Sequence, residues 1–176
     1  KEGVPGFIEY LKEGGRFRDE LVHIENIPAR EAKSVDISGR LHPLVESALA
    51  GQGINSLYTH QMQTVERVRA GENVVVVSGT ASGKSLSYLL PVVEKSLNDA
   101  LATSLMLFPT KALAQDQLRA FAAFTSMMGG EGVRIKAGTY DGDTSPASRR
   151  TLRMSASVLL TNPDMLHQGI LPYHAR

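Results

Sequence analysis

The sequence contains no cysteine and no tryptophan, and its 19 Lys and Arg residues nearly balance its 18 Asp and Glu residues. Without cysteine the chain can form no disulfide and no zinc site built from thiolates, which fits a reducing interior. The formal net charge of +1 excludes a general attraction to nucleic acid, so such binding must come from local patches. No apolar run approaches the length that crosses a bilayer. We therefore expect a cytoplasmic protein that makes no membrane contact.

What the sequence does contain is an ordinary share of apolar residues, 42% of 176, which is enough for a packed core. Residues 1–55 are interpreted as an N-terminal arm with a lead-in helix. The arm has a short helical pattern around Phe7, and the lead-in helix is predicted from Pro43 to Gly51 because proline suits the first position of a helix. A second helix is predicted from Thr59, as its N-cap, to Gly71.

Four short apolar segments predict strands of a parallel sheet. Residues 74–77 are an unbroken run of valine, the pattern of a strand that is buried on both faces. The other predicted strands are residues 104–108, 133–137 and 158–161, and helical patterns at 84–98, 111–128 and 146–154 alternate with them. This alternation predicts an α/β fold, with a doubly wound parallel sheet over residues 56–176. Ligands in such folds bind at the loops that follow the strands.

Residues 78–85 read Ser-Gly-Thr-Ala-Ser-Gly-Lys-Ser and directly follow the first predicted strand. This is a Walker A loop with one departure, since Ser78 stands where the pattern has glycine. Backbone N–H groups at the start of a helix form an anion site, where Lys84 is predicted to reach the β- and γ-phosphates and the Ser85 hydroxyl to ligate Mg²⁺. The sequence therefore predicts ATP and Mg²⁺ as cofactors, with Lys84 and Ser85 catalytic. The predicted nucleotide contacts from the loop are Gly79, Thr80, Ala81, Ser82, Gly83, Lys84 and Ser85.

A glycine-rich turn that merely caps a helix is the alternative for this loop, and the predicted strand before it and helix after it favour the nucleotide site. Upstream, residues 57–61 read Leu-Tyr-Thr-His-Gln. The Gln61 amide can pair with the N6 amine and N7 of adenine, and Tyr58 can supply an aromatic surface. We expect both to contact the nucleotide; a surface glutamine beside a helix start is the alternative.

Three further segments each follow a predicted strand. They are residues 108–117 (Phe-Pro-Thr-Lys-Ala-Leu-Ala-Gln-Asp-Gln), 138–144 (Gly-Thr-Tyr-Asp-Gly-Asp-Thr) and 161–167 (Thr-Asn-Pro-Asp-Met-Leu-His). In this order, behind the Walker A loop and residues 57–61, they resemble the nucleic-acid-binding motifs of superfamily 2 helicases. More narrowly, residues 28–33, 57–61, 109–117 and 140–146 resemble the bacterial helicases of the mitomycin-repair-factor type, which are RecQ-like.

The resemblance implies that residues 56–176 are the first RecA-like lobe of an ATP-dependent 3′-5′ DNA helicase that acts in DNA repair. It also implies a second RecA-like lobe in the same full-length chain, with single-stranded DNA and tailed duplex DNA as partners. Hydroxyls, amides and helix N-termini at the ends of the strands suit contacts to phosphate and sugar, which depend little on base sequence. The predicted nucleic-acid contacts are Thr110, Lys111, Gly142, Asp143, Thr161, Asn162 and Pro163.

For any one of these segments, an ordinary helix start is the alternative. Asp141 and Asp143 could instead suggest a metal site, although two carboxylates in a turn are more often solvated or capping.

After Lys84 no Asp-Glu pair follows a predicted strand, whereas the resemblance implies an Asp-Glu-x-His segment further on. We therefore expect an incomplete first lobe, which alone binds ATP weakly and does not hydrolyse it at a useful rate, whereas the full-length protein is the enzyme. An RNA helicase, another P-loop ATPase and a non-catalytic module that binds nucleotide or nucleic acid remain as alternatives.

Overall fold

The structure is a computed structural model that describes residues 3–13, 20–28 and 31–173. It divides into two compact units, residues 1–32 and residues 33–176. The smaller unit contains helix α1 (Val4–Glu13), which confirms the short helix predicted in the arm. The predicted limit between arm and lobe at residue 55 stays a prediction, and positions 14–19, 29 and 30 of the arm lie outside the described residues.

The larger unit contains the remaining elements. Its helices are α2 (Pro43–Gly51), α3 (Thr59–Arg69), α4 (Lys84–Asn98), α5 (Lys111–Ser126), α6 (Gly129–Arg134), α7 (Pro146–Ser155) and the single turn α8 (Pro163–Met165), which continues through a π-helical turn (Leu166–Ile170) and a 3-10 turn (Leu171–Tyr173). Its strands are β1 (Ser34–Asp36), β2 (Ser56–Tyr58), β3 (Ser104–Leu107), β4 (Ala137–Thr139) and β5 (Val158–Thr161). No described helix combines the length and the apolar character needed to cross a bilayer.

The main sheet is parallel and has the strand order β3-β5-β4. In its register Leu159 of the central strand lies opposite Leu105 on one side and Gly138 on the other. Strands β1 and β2 form a separate antiparallel pair. Because the three parallel strands run in one direction, the segments that follow them emerge at one edge of the sheet, where ligands are expected.

The core lies between the helices and the sheet. Helix α3 packs on α4, and α5 covers β4 and β5. The core residues with no more than 2% exposure include Val45, Leu49, Leu57, Met62, Val65, Leu90, Val93, Phe121, Val158 and Leu160. These buried residues lie at the apolar positions from which the helices and strands were predicted. The limits of β5 are those predicted, residues 158–161.

The strand predicted at residues 74–77 is wrong, because this segment forms no strand and pairs with none of the described strands. Val75 and Val77 are 88% and 92% exposed, whereas Val74 and Val76 are half-buried, so one face of the segment is uncovered. Valine favours a strand only where neighbouring strands supply hydrogen bonds and apolar contact. The described part of the chain supplies no partner strand at this position and covers only the face that carries Val74 and Val76.

Two other predictions differ from the structure by a shift along the chain. The strand predicted at 133–137 is displaced to β4, because α6 extends to Arg134. Gly132 permits this, since a Cβ there would lie 1.8 Å from the carbonyl oxygen of Thr125. Helix α3 begins at Thr59 instead of being capped by it, and the Thr59 hydroxyl donates a hydrogen bond to the carbonyl oxygen of Lys33 (2.8 Å).

A buried carboxylate joins three helices around α4. Glu94 is 4% exposed and accepts hydrogen bonds from Arg69 Nη2 (2.7 Å) and Nε (3.0 Å). It also accepts one from the backbone N–H of His42 (2.7 Å), at the start of α2. Since Glu94 lies on α4 and Arg69 on α3, this cluster holds α4 against both neighbouring helices.

We expect Glu94→Gln to lower the free energy of opening of α3 and α4 by about 2 kcal/mol, because it removes the charge that compensates a partly buried arginine. Hydrogen exchange of peptides from α2, α3 and α4 measures this local stability. Glu72→Gln is the matched control: it removes a charge of the same sign from the exposed Arg67–Glu72 pair and should change protection by no more than about 0.5 kcal/mol. Equal effects of the two substitutions would contradict the assigned importance of the buried cluster.

Candidate nucleotide site and nucleic-acid interface

The Walker A loop ends in a backbone conformation that favours glycine. Gly83 has a φ of +71° and forms the N-cap of α4. A Cβ at this position would lie 2.5 Å from Gln61 Nε2, so both the backbone and the neighbouring side chain exclude a larger residue. Ala81 also has a positive φ, +57°, which is uncommon for a residue with a side chain. Two residues of the loop thus have a left-handed backbone, and its nucleotide contacts stay a prediction.

Lys84 folds back over this loop. Its ammonium group donates hydrogen bonds to the carbonyl oxygens of Ser78 (3.1 Å) and Gly79, and lies 3.3 Å from the hydroxyl of Ser82. Phosphate oxygens are stronger acceptors for an ammonium group than carbonyl oxygens. The lysine is thus held at the site where an anion would replace these backbone acceptors.

Ser78, which stands where the Walker A pattern has glycine, forms a contact within the loop. Ser78 Oγ lies 2.6 Å from Ser82 Oγ, so the two hydroxyls form a hydrogen bond across the loop. Ser85 lies exposed in the first turn of α4, and its hydroxyl forms no hydrogen bond to the described residues. One free hydroxyl beside a phosphate site fits the needs of Mg²⁺, which takes few protein ligands and completes its shell with phosphate and water oxygens.

Gln61 links the loop to the start of α3. Its side-chain oxygen accepts a hydrogen bond from the backbone N–H of Tyr58 (2.8 Å), and its amide nitrogen donates one to the carbonyl oxygen of Gly83 (2.8 Å). The residue is 3% exposed. Pairing of this amide with adenine stays a prediction, and the two bonds leave one N–H and one oxygen lone pair of the amide for it. The ring of Tyr58 stacks on His60, with a centroid distance of 5.7 Å.

A cavity of about 880 Å³ lies beside Lys84 and Ser85. Its apolar lining includes Val74, Val76, Leu107 and Phe108. Across it, Tyr88 of α4 donates a hydrogen bond to Gln117 Oε1 of α5 (2.7 Å). The phosphate-loop helix is therefore coupled directly to the helix that carries the next predicted motif.

Two predicted nucleic-acid residues from different segments meet at the edge of the sheet. Thr110 caps α5, since its hydroxyl accepts a hydrogen bond from the backbone N–H of Leu113 (3.2 Å). Lys111 Nζ lies 2.6 Å from Asp143 Oδ2, in the loop after β4. The hydrogen bond to Asp143 and the attraction of its charge raise the pKa of Lys111. Both side chains are exposed, so a phosphate can compete with Asp143 for the lysine.

Asp141 takes the capping role that the sequence suggested for a carboxylate in this turn, whereas its burial was not predicted. It is 2% exposed, and its Oδ1 accepts hydrogen bonds from the backbone N–H groups of Asp143 (2.9 Å) and Thr144 (3.1 Å). These bonds form an Asx-type turn that fixes Gly142 and Asp143 at the tip of the loop. The spacing Asp-x-x-Thr is the signal that could have identified it.

The segment after β5 is tied to the same loop. Thr161 is fully buried, and its hydroxyl donates a hydrogen bond to the carbonyl oxygen of Tyr140 (2.5 Å). The side chain of Thr161 therefore holds the loop after β4 by a buried hydrogen bond. Asn162 Oδ1 accepts a hydrogen bond from the backbone N–H of Met165 (2.8 Å), and Pro163 occupies the first position of α8. The amide nitrogen of Asn162 remains available as a donor.

The DEAD/DEAH box helicase family matches residues 58–176. The uncharacterized ATP-dependent helicase YprA of Bacillus subtilis is 44% identical over 158 residues, covering 90% of this chain and 21% of the relative. The ATP-dependent helicase HRQ1 of Saccharomyces cerevisiae is 40% identical over 172 residues, covering 98% of this chain and 16% of the relative.

A crystal structure of the DUF1998 helicase MrfA bound to DNA and AMPPNP superposes on the chain with a TM-score of 0.85 and 41% identity. The match covers 99% of this chain and 24% of that one. The chain thus spans less than a quarter of the length of each of these relatives.

We expect Gln61→Ala to weaken ATP binding about tenfold, because the loop loses its bond to α3 at Gly83 and the Tyr58 N–H loses its acceptor. Titration with a fluorescent ATP analogue measures the dissociation constant. Gln63→Ala, two residues along the same helix and exposed, is the control that should leave the affinity unchanged. An unchanged affinity in the Gln61 variant would contradict a role of Gln61 in nucleotide binding.

Proposed function

Because the chain belongs to the DEAD/DEAH box helicase family, we propose that it is the first lobe of an ATP-dependent DNA helicase that moves 3′ to 5′ and acts in DNA repair. The α/β RecA-like fold and the resemblance to superfamily 2 helicases, both predicted above, are confirmed by the family match and by the likeness to MrfA. The observation that carries the proposal is the coupling of the Walker A loop, through α4 and α5, to the edge formed by the three strand ends.

The nucleotide would be held by the residues that shape and face the loop. Lys84 would exchange the carbonyl oxygens of Ser78 and Gly79 for the β- and γ-phosphates, and the N-terminus of α4 would add backbone donors. Ser85 would hold Mg²⁺, which supplies neutralisation of the phosphate charge. Gln61 would couple the Walker A loop to α3 when nucleotide binds, because any movement of Gly83 changes the hydrogen bond between Gly83 and Gln61.

The nucleic acid would lie along the edge of the sheet. The likeness to MrfA, whose structure contains DNA, favours DNA over RNA. Single-stranded DNA and the single-stranded part of a tailed duplex fit an edge with donors such as the exposed Lys111 and the half-buried Asn162, since such contacts bind phosphate without reading bases. An RNA strand is the second candidate, because the same contacts do not depend on the absence of a 2′-hydroxyl.

We further propose that a second RecA-like lobe and the hydrolytic carboxylates come from the remainder of a longer protein. The relatives are more than four times as long as their match to this chain. The exposed Val75 and Val77 and the apolar cavity beside β3 offer surface on which further strands could pair and pack. A cytoplasmic location, where DNA and ATP are both available to a bacterial-type helicase, belongs to the same proposal.

We expect Lys84→Ala in the complete protein to abolish ATP hydrolysis stimulated by single-stranded DNA, with a loss of at least about a hundredfold, because the principal charge on the transferred phosphoryl group is removed. Steady-state phosphate release measures this. Lys95→Ala, on the exposed side of the same helix, is the matched control and should keep normal turnover. Full activity of the Lys84 variant would rule out the assigned ATP site.

The substrate and direction are tested by strand displacement with the complete protein. We expect unwinding of a duplex with a 3′ single-stranded tail and little unwinding of one with a 5′ tail. Preference for an RNA tail would favour the second candidate, and hydrolysis that ignores nucleic acid altogether would point to another class of P-loop ATPase. The 176-residue chain alone is expected to show no turnover, since its sequence has no Asp-Glu pair after Lys84 that could hold Mg²⁺ and orient the attacking water.

A further inference from the structure

Helix α7 carries positive charge that no part of the described chain neutralises. It contains Arg149, Arg150 and Arg153 and no carboxylate, in a chain whose formal net charge is only +1. The other arginines of the described ranges all form ion pairs with carboxylates: Arg40, Arg67, Arg69, Arg119 and Arg134. No described carboxylate lies at ion-pair distance from an arginine of α7.

The three arginines also lie close together. Arg150 and Arg153 are both exposed, and positions three apart on a helix share one face. Arg149 and Arg153 are four apart, so Arg153 adjoins both of the others. Like charges at these spacings repel one another and destabilise a helix. A bound anion would remove this repulsion.

Arg149 connects this face to the loop after β4. Its Nη2 donates hydrogen bonds to the carbonyl oxygens of Asp141 (2.8 Å) and Gly142 (3.3 Å), and its guanidinium group lies 5.6 Å from the centre of the Tyr140 ring. Its Nε is buried and has no partner among the described residues. Arg149 therefore sets the position of α7 relative to Gly142, a predicted contact to nucleic acid.

A cavity of about 520 Å³ lies at the junction of α7 with the segments after β4 and β5. Its lining includes Gly142, Arg149, Arg153 and the amide-bearing Gln168. Gly142 is shared between this cavity and the edge where Lys111 and Asp143 meet. Arg149 and Arg153 thus place α7 beside the candidate nucleic-acid interface, and Arg150 is exposed one turn before Arg153 on the same helix.

We propose that Arg150 and Arg153, on the arginine face of α7, bind backbone phosphates of the nucleic-acid strand that passes Gly142. Arg149 is a positioning residue, because it acts through the loop. Guanidinium groups without protein partners match phosphate, which accepts two parallel N–H bonds from one arginine. This inference rests on the proposed function, and it adds a phosphate subsite outside the predicted motifs.

The test is the salt dependence of DNA binding by the complete protein. Fluorescence anisotropy of a labelled single-stranded oligonucleotide is measured over a series of KCl concentrations for the wild type and for the Arg150→Gln, Arg153→Gln double variant. Each lost phosphate contact on a single strand lowers the slope of log K against log salt by about 0.7. We expect the double variant to lose about 1.4 from the slope and to bind about tenfold more weakly at low salt.

Two further variants separate a phosphate contact from a general effect of charge. Arg67→Gln with Arg134→Gln removes the same charge from exposed, ion-paired positions and should keep the wild-type slope. Arg150→Lys with Arg153→Lys keeps the charge and should keep most of the slope. If both glutamine pairs reduce the slope equally, the effect is only one of net charge and the proposal is overturned.

The ATPase reaction separates failure of this inference from failure of the proposed function. We expect the Arg150/Arg153 glutamine variant to need about tenfold more DNA for half-maximal stimulation, with an unchanged kcat at saturating DNA. A lower kcat with wild-type DNA affinity would mean that the arginines face another part of the protein, which overturns the inference alone. A wild-type protein that binds no nucleic acid would overturn both.

Discussion

The amide of Gln61 is the contact on which the arrangement of the site depends. It holds the carbonyl oxygen of Gly83 and the backbone N–H of Tyr58 at the same time, and both hydrogen bonds are 2.8 Å long. Gly83 must keep a left-handed backbone and no side chain for this contact to form. The Walker A loop and the start of α4 are therefore positioned by a residue of α3, well away in sequence.

From α4 the coupling continues in two directions. Glu94 ties the far part of the helix to Arg69 and to the start of α2, so the loop rests on a rigid base. Tyr88 ties its first turns to Gln117 of α5, whose N-terminus presents Thr110 and Lys111. A chain of side-chain contacts thus joins the nucleotide loop to the sheet edge, which is the physical requirement for a motor that links ATP to the grip on a strand.

Much of the fold could be predicted because the pattern of apolar residues is local information. Strand β5 and helices α2 and α4 have the predicted limits. The valine run at 74–77 was mispredicted because a strand depends on its neighbours, and the described chain places none beside it. The burial of Asp141 was not predicted, because it depends on the packing of several segments around the turn.

The sequence by itself determined the chemistry of the site: a glycine-rich loop ending in Lys84 and Ser85, and hydroxyl, amide and cationic groups after each later strand. These are properties of residue types and spacing, so they can be read from the sequence alone. Only the tertiary structure decided which groups meet. It pairs Lys111 with Asp143, buries Thr161, and leaves Arg150 and Arg153 without a carboxylate partner, because such relations arise from segments brought together by parallel strands and cannot be read from distance along the chain.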